Sequence, residues 1–384
     1  MSFSVRWVAS EADIDAALWE ACFPPPLEGR WWYSALEQSA LEDQFSFLYG
    51  VIRRDGVDVG IAPAFAMDFP IELVTPPALA PAVRSLGRVW PRLARPHTLF
   101  VGSPCADEGT VGILPGVERG SALGALSQAL ATQARKMDAD LLVWKDFPAS
   151  FRAEPRFFPV VSFPGTVVAL GGSKEAYFAA LKGSRRHILR KKLRRSAARV
   201  EIRTDVVQSP DAATLDAVFA LFWQTYEKAK TKFERLNRRF FDAIATAPVS
   251  HFILLREAAS GELVAFMLCF DLGTRVINKF IGTDHRRPRE WLLYFRLWEA
   301  ALDWALARGA AEIQSGQTDY APKIEVGHRL VPLTNYCAHR SRLVHTIARY
   351  CARQIDWTTL DDDLARFLRA HPGALVRAAR PTPP

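Results

Sequence analysis

Alternating hydrophobic and polar residues predict β-strands in the first 150 residues. Phe3–Val8 is the first alternating run, and the runs at 45–52 and 57–67 flank an Asp-Gly turn. Two such runs joined by Asp-Gly are typical of a β-hairpin. The same patterns predict further elements, in chain order a strand at 98–102, a helix at 121–137 and a strand at 140–145.

The second half of the chain repeats part of this pattern. Residues 251–257 and 262–272 again read as strand, polar turn and strand, with lengths and alternation similar to those of the first hairpin. A long apolar helix follows at 290–308, and Gly309 would end it. We interpret the similarity as two copies of one α/β unit. Chance is the alternative, because hairpins are common.

Length and a proline-rich segment indicate two domains. The chain has 384 residues, more than one hydrophobic core usually supports. Its character changes at 147–164, where prolines are frequent. We therefore predict domains at 1–160 and 161–345, and a tail at 346–384 with two short amphipathic helices and a disordered end.

Composition narrows the class of protein. Apolar residues make up 49% of the chain, which excludes wholesale disorder. The five cysteines are scattered and form no CxxC pair, a usage typical of reduced thiols in a cytoplasmic protein. We see no export signal, and no apolar stretch approaches the ~18 residues of a spanning helix. We expect a cytoplasmic protein, for which peripheral contact with a membrane stays open.

Most of the excess positive charge lies in one stretch. Residues 182–203 contain ten Lys or Arg and one acidic residue, whereas the net charge of the whole chain is +8. Apolar residues recur there at helical spacing and would dock one face on a core: Phe178, Leu181, Ile188, Leu189, Leu193 and Ala197. The side chains expected to face outward are Arg185, Arg186, Arg190, Lys191, Arg194 and Arg195. This concentration favours a polyanionic ligand, and a solvated charged face is the alternative.

Other residues with possible chemistry are less informative. The eight histidines include no HExxH or Cys/His ligand set, so we expect no metal site. No GxxxxGK[ST] phosphate loop or G-x-S-x-G elbow is present. Cys105 lies near His97 in the sequence, but no spacing rule makes them a catalytic pair. Trp31 and Trp32 would either line a ligand groove or pack in the core, which is the commoner fate of such residues.

Several motifs together resemble one family. The basic stretch GSRRHILRKKLRRSAARVEIR is followed by a helix, a strand–turn–strand, a long apolar helix and finally GQTDYAPKIEVG. This combination is similar to the Fem-like branch of the GNAT acyltransferase superfamily, which includes peptidoglycan-type aminoacyltransferases. The match covers roughly 165–340. It implies an α/β (α+β) fold of two tandem GNAT-like domains, each a mixed, mainly antiparallel sheet flanked by helices.

The resemblance also implies roles for particular residues. The lysine of the Fem-type motif stabilises the tetrahedral intermediate, which assigns that role to Lys323. Tyr320 would protonate the leaving group and Asp319 is a candidate base, on a segment that we expect to be a strand. Where other members hold a pyrophosphate with a glycine-rich loop, this chain reads GTDHRRPREW. Gly282 remains there, and charged side chains, Arg286 and Arg287, would hold phosphate instead.

Two hypotheses about function follow. In the first, the protein transfers an acyl or aminoacyl group to a small-molecule or nucleotide-linked amine; no cofactor is tightly bound, and acyl-CoA, a carrier thioester or aminoacyl-tRNA is the co-substrate. The donor and acceptor would contact Arg185, Arg186, Arg190, Lys191, the 282–287 loop and Trp32. In the second, a non-catalytic GNAT scaffold binds nucleic acid or an anionic membrane surface through 182–203.

Overall fold

The computed structural model describes residues 2–75, 80–229, 232 and 235–370. The strands, in chain order, are β1 (Phe3–Val8), β2 (Ser46–Arg54), β3 (Val57–Asp68), β4 (His97–Val101), β5 (Gly112–Ile113), β6 (Leu141–Pro148), β7 (Phe158–Val161), β8 (Gly165–Ala169), β9 (Ile202–Val207), β10 (Ser250–Glu257), β11 (Leu263–Asp271), β12 (Arg275–Thr283), β13 (Glu312–Ser315), β14 (Arg329–Val331) and β15 (Leu333–His339).

The α-helices, in chain order, are α1 (Ala16–Cys22), α2 (Arg30–Gln38), α3 (Ala80–Val89), α4 (Pro91–Ala94), α5 (Arg119–Lys136), α6 (Lys174–Ala180), α7 (Gly183–Ala197), α8 (Ala212–Lys228), α9 (Arg238–Ala245), α10 (Leu293–Ala307), α11 (Tyr320–Glu325), α12 (Arg342–Ala352), α13 (Trp357–Leu360) and α14 (Asp362–Ala370). Short 3-10 helices lie at Glu11–Asp13, Ile71–Val74 and Arg289–Trp291. Within the described ranges, no helix is both long and apolar enough to cross a bilayer.

The chain divides into two compact units. The first contains Met1–Pro24, Leu41–Pro164 and the chain after Val331. Its sheet has the order β1-β2-β3-β4-β6-β15-β7, and β5 pairs with β3. Helix α5 covers one face of this sheet, because Leu126 and Leu130 on one helical stripe are buried in the core.

The second unit contains Pro25–Ala40 and Gly165–Val331. Its sheet has the order β14-β8-β13-β12-β11-β10-β9. Helix α10 lies in its core, where Leu297 and Trp298 pack with residues of the central strands. This helix is apolar on most of its surface, as the sequence indicates, and is therefore buried.

The strands of the two sheets have the same order and the same relative directions. In each, four antiparallel strands are followed by a parallel partner, β6 beside β4 in the first unit and β13 beside β12 in the second. Two further antiparallel strands complete each order. The predicted hairpins, β2–β3 and β10–β11, occupy matching positions. The repetition that the sequence indicates is therefore a repetition of strand order and direction.

The units differ from the predicted domain ranges because strands are exchanged along the chain. β15 comes after the second unit but pairs with β6 and β7 of the first, whereas residues 25–40 belong to the second unit. The predicted tail is likewise not a separate body: Trp357 Nε1 donates to the carbonyl of Ser162, 3.1 Å away. The predicted disordered end lies outside the described residues.

Helix α7 forms within the basic stretch but buries a slightly different face from the one predicted. Leu189 and Leu193 are buried as expected. Ile188 is 45% exposed and Ala197 is exposed, so their predicted contact with the core is wrong. The buried stripe continues through Ser196, which follows Leu189 and Leu193 at helical spacing.

Candidate functional site

Two parallel strands part near the centre of the second unit. β12 and β13 pair from Arg275 and Glu312 as far as Asn278 and Ser315. β13 ends at that point, whereas β12 continues to Thr283. Beyond Asn278, one edge of β12 therefore has no strand beside it among the described residues.

The edge that is left open presents a backbone amide. The amide of Asp284 donates to the carbonyl of Val264 at 2.8 Å. This bond shows which residues of β12 direct their amides towards β11. Because alternate residues of an antiparallel strand point to opposite edges, Ile281 and Thr283 face away from β11. The Thr283 amide donates to Thr225 Oγ1 at 3.3 Å. The N–H of Ile281 thus points to the side where the strands part.

A β-bulge places a lysine beside this opening. Leu268 pairs with Phe280 and Cys269 with Asn278, so Lys279 is an extra residue in β12. Bulges are enriched next to active sites, where they redirect a side chain. No pattern in the sequence indicated a role for this lysine.

The ammonium of Lys279 is buried with a carboxylate and an indole. Its side chain is 1% exposed, and its Nζ lies 2.6 Å from Glu28 Oε1. The centroid of the Trp32 ring is 4.6 Å away. Trp32 itself is 0% exposed and packs on Phe240 and Phe270. The predicted contact of Trp32 with a ligand stays a prediction.

A chain of buried hydrogen bonds ties the end of β13 to β12 and to the residues after α11. Ser315 Oγ accepts from Asn278 Nδ2 at 3.3 Å and lies 3.0 Å from His328 Nε2. His328 Nδ1 lies 3.1 Å from the Lys323 carbonyl. A carbonyl only accepts, so Nδ1 bears the proton and Nε2 accepts from Ser315. Burial, then the nearby Lys323 ammonium, lowers the pKa of His328 to about 3. The imidazole is neutral near pH 7, so it fixes structure and is a weak base.

Lys323 holds the loop that follows β13. Its Nζ donates to the carbonyls of Gly316, Gln317 (3.3 Å) and Thr318 (2.8 Å). Thr318 and Asp319 both have left-handed backbone conformations, with φ of 68° and 46°. Such conformations are strained for residues other than glycine, and they persist only where surrounding contacts impose them. Lys323 supplies those contacts, a positioning role that differs from its predicted role in catalysis.

The other two predicted catalytic residues flank the start of α11. This segment is the helix α11 and not the strand expected from the sequence. The nearest strand, β13, ends earlier, at Ser315. Tyr320 is 0% exposed and lies inside the second unit. Asp319 is exposed and precedes the helix as its N-cap residue, without a capping side-chain bond. Their predicted catalytic roles stay predictions.

The basic helix lies beside this loop, in the same unit. Lys192 Nζ is 2.6 Å from Glu325 Oε1 on α11 and 4.1 Å from the ring centroid of Phe295 on α10. Ser196 Oγ donates to the carbonyl of Trp291, just before α10, at 2.6 Å. Arg185 lies two turns before Lys192 on the same face, about 10 Å along the axis. The basic helix therefore lies beside α11.

Most of the positive charge on α7 is not neutralised. Arg190 lies with its guanidinium 4.8 Å from the ring centroid of Phe178. Arg185 and Arg186 are half-buried, and the later basic residues other than Lys192 are exposed. Within the described part of the chain, no carboxylate pairs with any of six cations on this helix: Arg185, Arg186, Arg190, Lys191, Arg194 and Arg195.

The loop after β12 is less positive than its sequence indicates. Arg286 pairs with Asp284 at 2.9 Å, and Arg287 pairs with Asp284 (3.2 Å), with Glu257 (3.0 Å) and with Glu262. Burial raises the pKa of Asp284, but the hydrogen bonds and charge of these arginines outweigh burial and keep it below its usual value. Both arginines that we expected to hold phosphate already have carboxylate partners.

Gly282 has a packing reason to be glycine. A Cβ at this position would lie 2.6 Å from the backbone carbon of Leu221 on α8 and 2.5 Å from the Phe266 ring. The helix backbone cannot retreat from β12 without losing its other contacts. Its predicted role in donor binding stays a prediction.

The matching position in the first unit is filled. β4 ends at Val101, where its pairing with β6 also ends. The amide of Gly109 donates to the carbonyl of Asp146 at 2.8 Å, so a loop occupies the edge of β6. A Cβ on Gly109 would lie 2.1 Å from the Lys145 carbonyl oxygen. Only the second unit has an open edge where its parallel strands part, as far as the described residues show.

Comparisons with known proteins find one matching family model. A family model described as an acetyltransferase (GNAT) domain matches residues 183–323, from the start of α7 to Lys323. This segment is thus similar to a GNAT domain. Comparison with curated proteins finds no match.

Solved structures show the fold of the whole chain. FemX is 12% identical and has a TM-score of 0.56, covering 91% of this chain and 100% of its own. A tandem GNAT protein from the clavulanic acid biosynthesis pathway is 13% identical (TM-score 0.51; 88% and 99% covered). A conserved protein of unknown function from Bacteroides thetaiotaomicron is 12% identical (TM-score 0.56; 87% and 99%). The predicted fold of two tandem GNAT-like domains is confirmed.

Proposed function

We propose that the protein is an N-acyltransferase whose reaction takes place in the second unit, where β12 and β13 part. The observation that supports this most directly is the open edge of β12 with the outward amide of Ile281. The GNAT family model covers this segment. The donor is an acyl-CoA, a carrier thioester or an aminoacyl-tRNA, and the acceptor is an amine.

The open edge supplies what acyl transfer requires. The amine nitrogen attacks the donor carbonyl, a C–N bond forms, and the carbonyl oxygen becomes an oxyanion. The N–H of Ile281 is a fixed donor for that oxyanion, and such a donor lowers the barrier because it needs no reorganisation. The C–S or C–O bond then breaks, and the proton lost by the amine passes to the departing thiolate or ribose oxygen.

The buried groups around the opening hold its walls in place. Lys323 fixes the carbonyls of 316–318, and Ser315 and His328 tie this loop to Asn278 of β12. The pair of Glu28 and Lys279 fixes the bulge on the other strand. Rigid support of this kind preserves a reactive geometry to within fractions of an ångström.

The donor is recognised through phosphate. CoA and tRNA share phosphate groups, and α7 presents unpaired cations beside α10 and α11. Arginine suits this task because its guanidinium binds phosphate oxygens with two parallel hydrogen bonds. Arg185 and Arg186, at the start of α7, are the residues that we assign to it.

Mass spectrometry of acyl products tests the proposal. The full chain is incubated with acetyl-CoA, an acyl carrier thioester or charged tRNA, with hydroxylamine as a small amine nucleophile. We expect product from one donor class at a rate above that of the reaction without protein. Arg185→Gln/Arg186→Gln should raise the KM for that donor about tenfold or more, through loss of charge-assisted bonds. The matched variant Arg194→Gln/Arg195→Gln, with the same charge change two turns further along, should change it much less.

The alternative is that the protein is a non-catalytic scaffold that binds a polyanion through α7. The cations of α7 that pair with no carboxylate among the described residues would also bind a polyanion. Absence of product from every donor, together with salt-dependent binding of RNA that Arg185→Gln/Arg186→Gln weakens, would favour it.

A further inference from the structure

One end of the sheet in the first unit gathers three chain segments. β4 begins at His97, β15 ends at His339, and both lie beside Leu141 at the start of β6. The helices before β4, α3 and α4, and the helix after β15, α12, therefore emerge at the same end. The carboxylate of Asp138 joins them, because it pairs with Arg92 at 2.7 Å and with Arg340 at 2.5 Å.

Large apolar side chains are exposed on these segments. Among the described residues eight large hydrophobic side chains are exposed, and five of them lie on α3, α12 or the residue before α4. Leu343, Ile347 and Tyr350 follow one another at helical spacing and are 71%, 55% and 66% exposed. Val89 is 66% exposed and Trp90 58%. Several exposed apolar side chains on segments at one end of a unit indicate an interaction site, whereas single exposed apolar residues need no explanation.

Positive charge surrounds these side chains. The segments 80–95 and 340–353 each contain four arginines and no acidic residue. Arg92 and Arg340 are used in the ion pairs with Asp138, and Arg84 lies 4.0 Å from Glu72. The remaining arginines are exposed, and no ion pair involves them in the described ranges: Arg88, Arg95, Arg342, Arg349 and Arg353.

The chemistry of this surface favours one partner. Nucleic acid would use the arginines but would gain little from the aliphatic side chains of Leu343 and Ile347. A second copy of the chain would bring like charges together, which costs free energy on association. An anionic bilayer satisfies both features, because aliphatic groups enter the interface while tryptophan and tyrosine lie at headgroup level and arginines meet anionic lipids.

We propose that the surface formed by Val89, Trp90, Leu343, Ile347 and Tyr350 with its surrounding arginines binds an anionic lipid bilayer. The surface belongs to the first unit alone and is distinct from the basic helix α7. It does not depend on the acyltransferase proposal, since it concerns only where the protein binds.

Flotation of the full chain with lipid vesicles tests this proposal. Vesicles of phosphatidylcholine alone and with about 30% phosphatidylglycerol separate apolar insertion from charge. Leu343→Gln/Ile347→Gln should lower the partition coefficient about tenfold or more on both vesicles, through loss of buried apolar area. Arg342→Gln/Arg349→Gln should lower it about tenfold on anionic vesicles only, since each basic residue near the surface contributes on the order of 1 kcal/mol.

Matched variants on α7 serve as controls. Ile188→Gln removes an exposed apolar side chain, and Arg194→Gln/Arg195→Gln removes two exposed charges, both in the second unit. They should leave partitioning unchanged. Failure of the wild-type chain to bind anionic vesicles would overturn the proposal, as would equal losses in the α7 variants. A dimer that Leu343→Gln/Ile347→Gln dissociates, without vesicle binding, would assign the surface to a second copy instead.

Discussion

The buried histidine at the end of α11 should make the second unit sensitive to acid. The folded protein holds His328 neutral, with a pKa of about 3, because its imidazole is 4% exposed, near an ammonium and bonded on both nitrogens. In the unfolded chain a histidine has a pKa of about 6.5. Between these two pKa values, the histidine is therefore protonated in the unfolded chain and neutral in the folded protein.

The sign and size of the effect follow from linkage. A lowered folded-state pKa means that the unfolded state binds more protons between about pH 6.5 and 3, so stability falls as pH falls through this window. With these two pKa values, His328 alone should lower the free energy of unfolding by about 2 kcal/mol between pH 7 and pH 5. The loss develops mostly below the unfolded-state pKa.

Urea denaturation of the wild type and of His328→Gln, at pH 7 and at pH 5, measures this contribution. The variant is less stable at pH 7 but should lose about 2 kcal/mol less on acidification, because it has no group to protonate. Subtracting the pH-dependent change in stability of the variant from that of the wild type cancels the contribution of the other histidines. His187→Gln, at an exposed position on α7, is the matched control and should behave as wild type. Equal acid sensitivity in wild type and His328→Gln would refute the reasoning.

Three further predictions concern the walls of the opening. Lys323→Met should lower thermal stability and reduce turnover by about 10²-fold, measured by calorimetry and product formation, because the carbonyls of the 316–318 loop lose their donor; unchanged turnover would contradict its positioning role. Lys279→Met should cost about 3 kcal/mol by removing the ammonium beside the buried Glu28 carboxylate, and Glu28→Gln/Lys279→Met should recover part of it; a double-mutant cycle in urea checks the coupling, and additive losses would exclude it. Gly282→Ala should destabilise the protein by about 1–3 kcal/mol through a clash with α8, whereas Gly124→Ala, where a Cβ has open space, should not; equal melting temperatures would exclude the clash.

Local elements were predictable from the sequence because their signals are local. β1 has the predicted bounds, and both hairpins lie where alternation and polar turns place them. The exchange of β8 and β15 between units was not predictable, since two strands of similar composition differ only in their distant partners. The outcome follows from pairing: β15 meets β6 and β7, whereas β8 meets β13 and β14.

The candidate site was predictable only in outline. The basic helix and the 320–323 segment do lie side by side, but the partners that define their roles come from elsewhere in the chain. Ser315 and His328 are separated by a helix, and Glu28 meets Lys279 across 251 positions. The ion pair of Arg287 with Glu257 could not be predicted, because the two residues are far apart in the sequence. The sequence carries no local signal for the missed groups, because each takes its role from a partner that is distant in the chain.

One substitution at the open edge of β12 tests whether acyl transfer occurs there. Ile281→Pro removes the outward N–H without removing a ladder bond, and Ile281→Ala keeps that N–H as the matched control. Acyl transfer to hydroxylamine, measured by mass spectrometry with the donor that the wild type uses, should fall about 10²–10³-fold in Ile281→Pro and little in Ile281→Ala. Equal activity of the two folded variants would contradict the account.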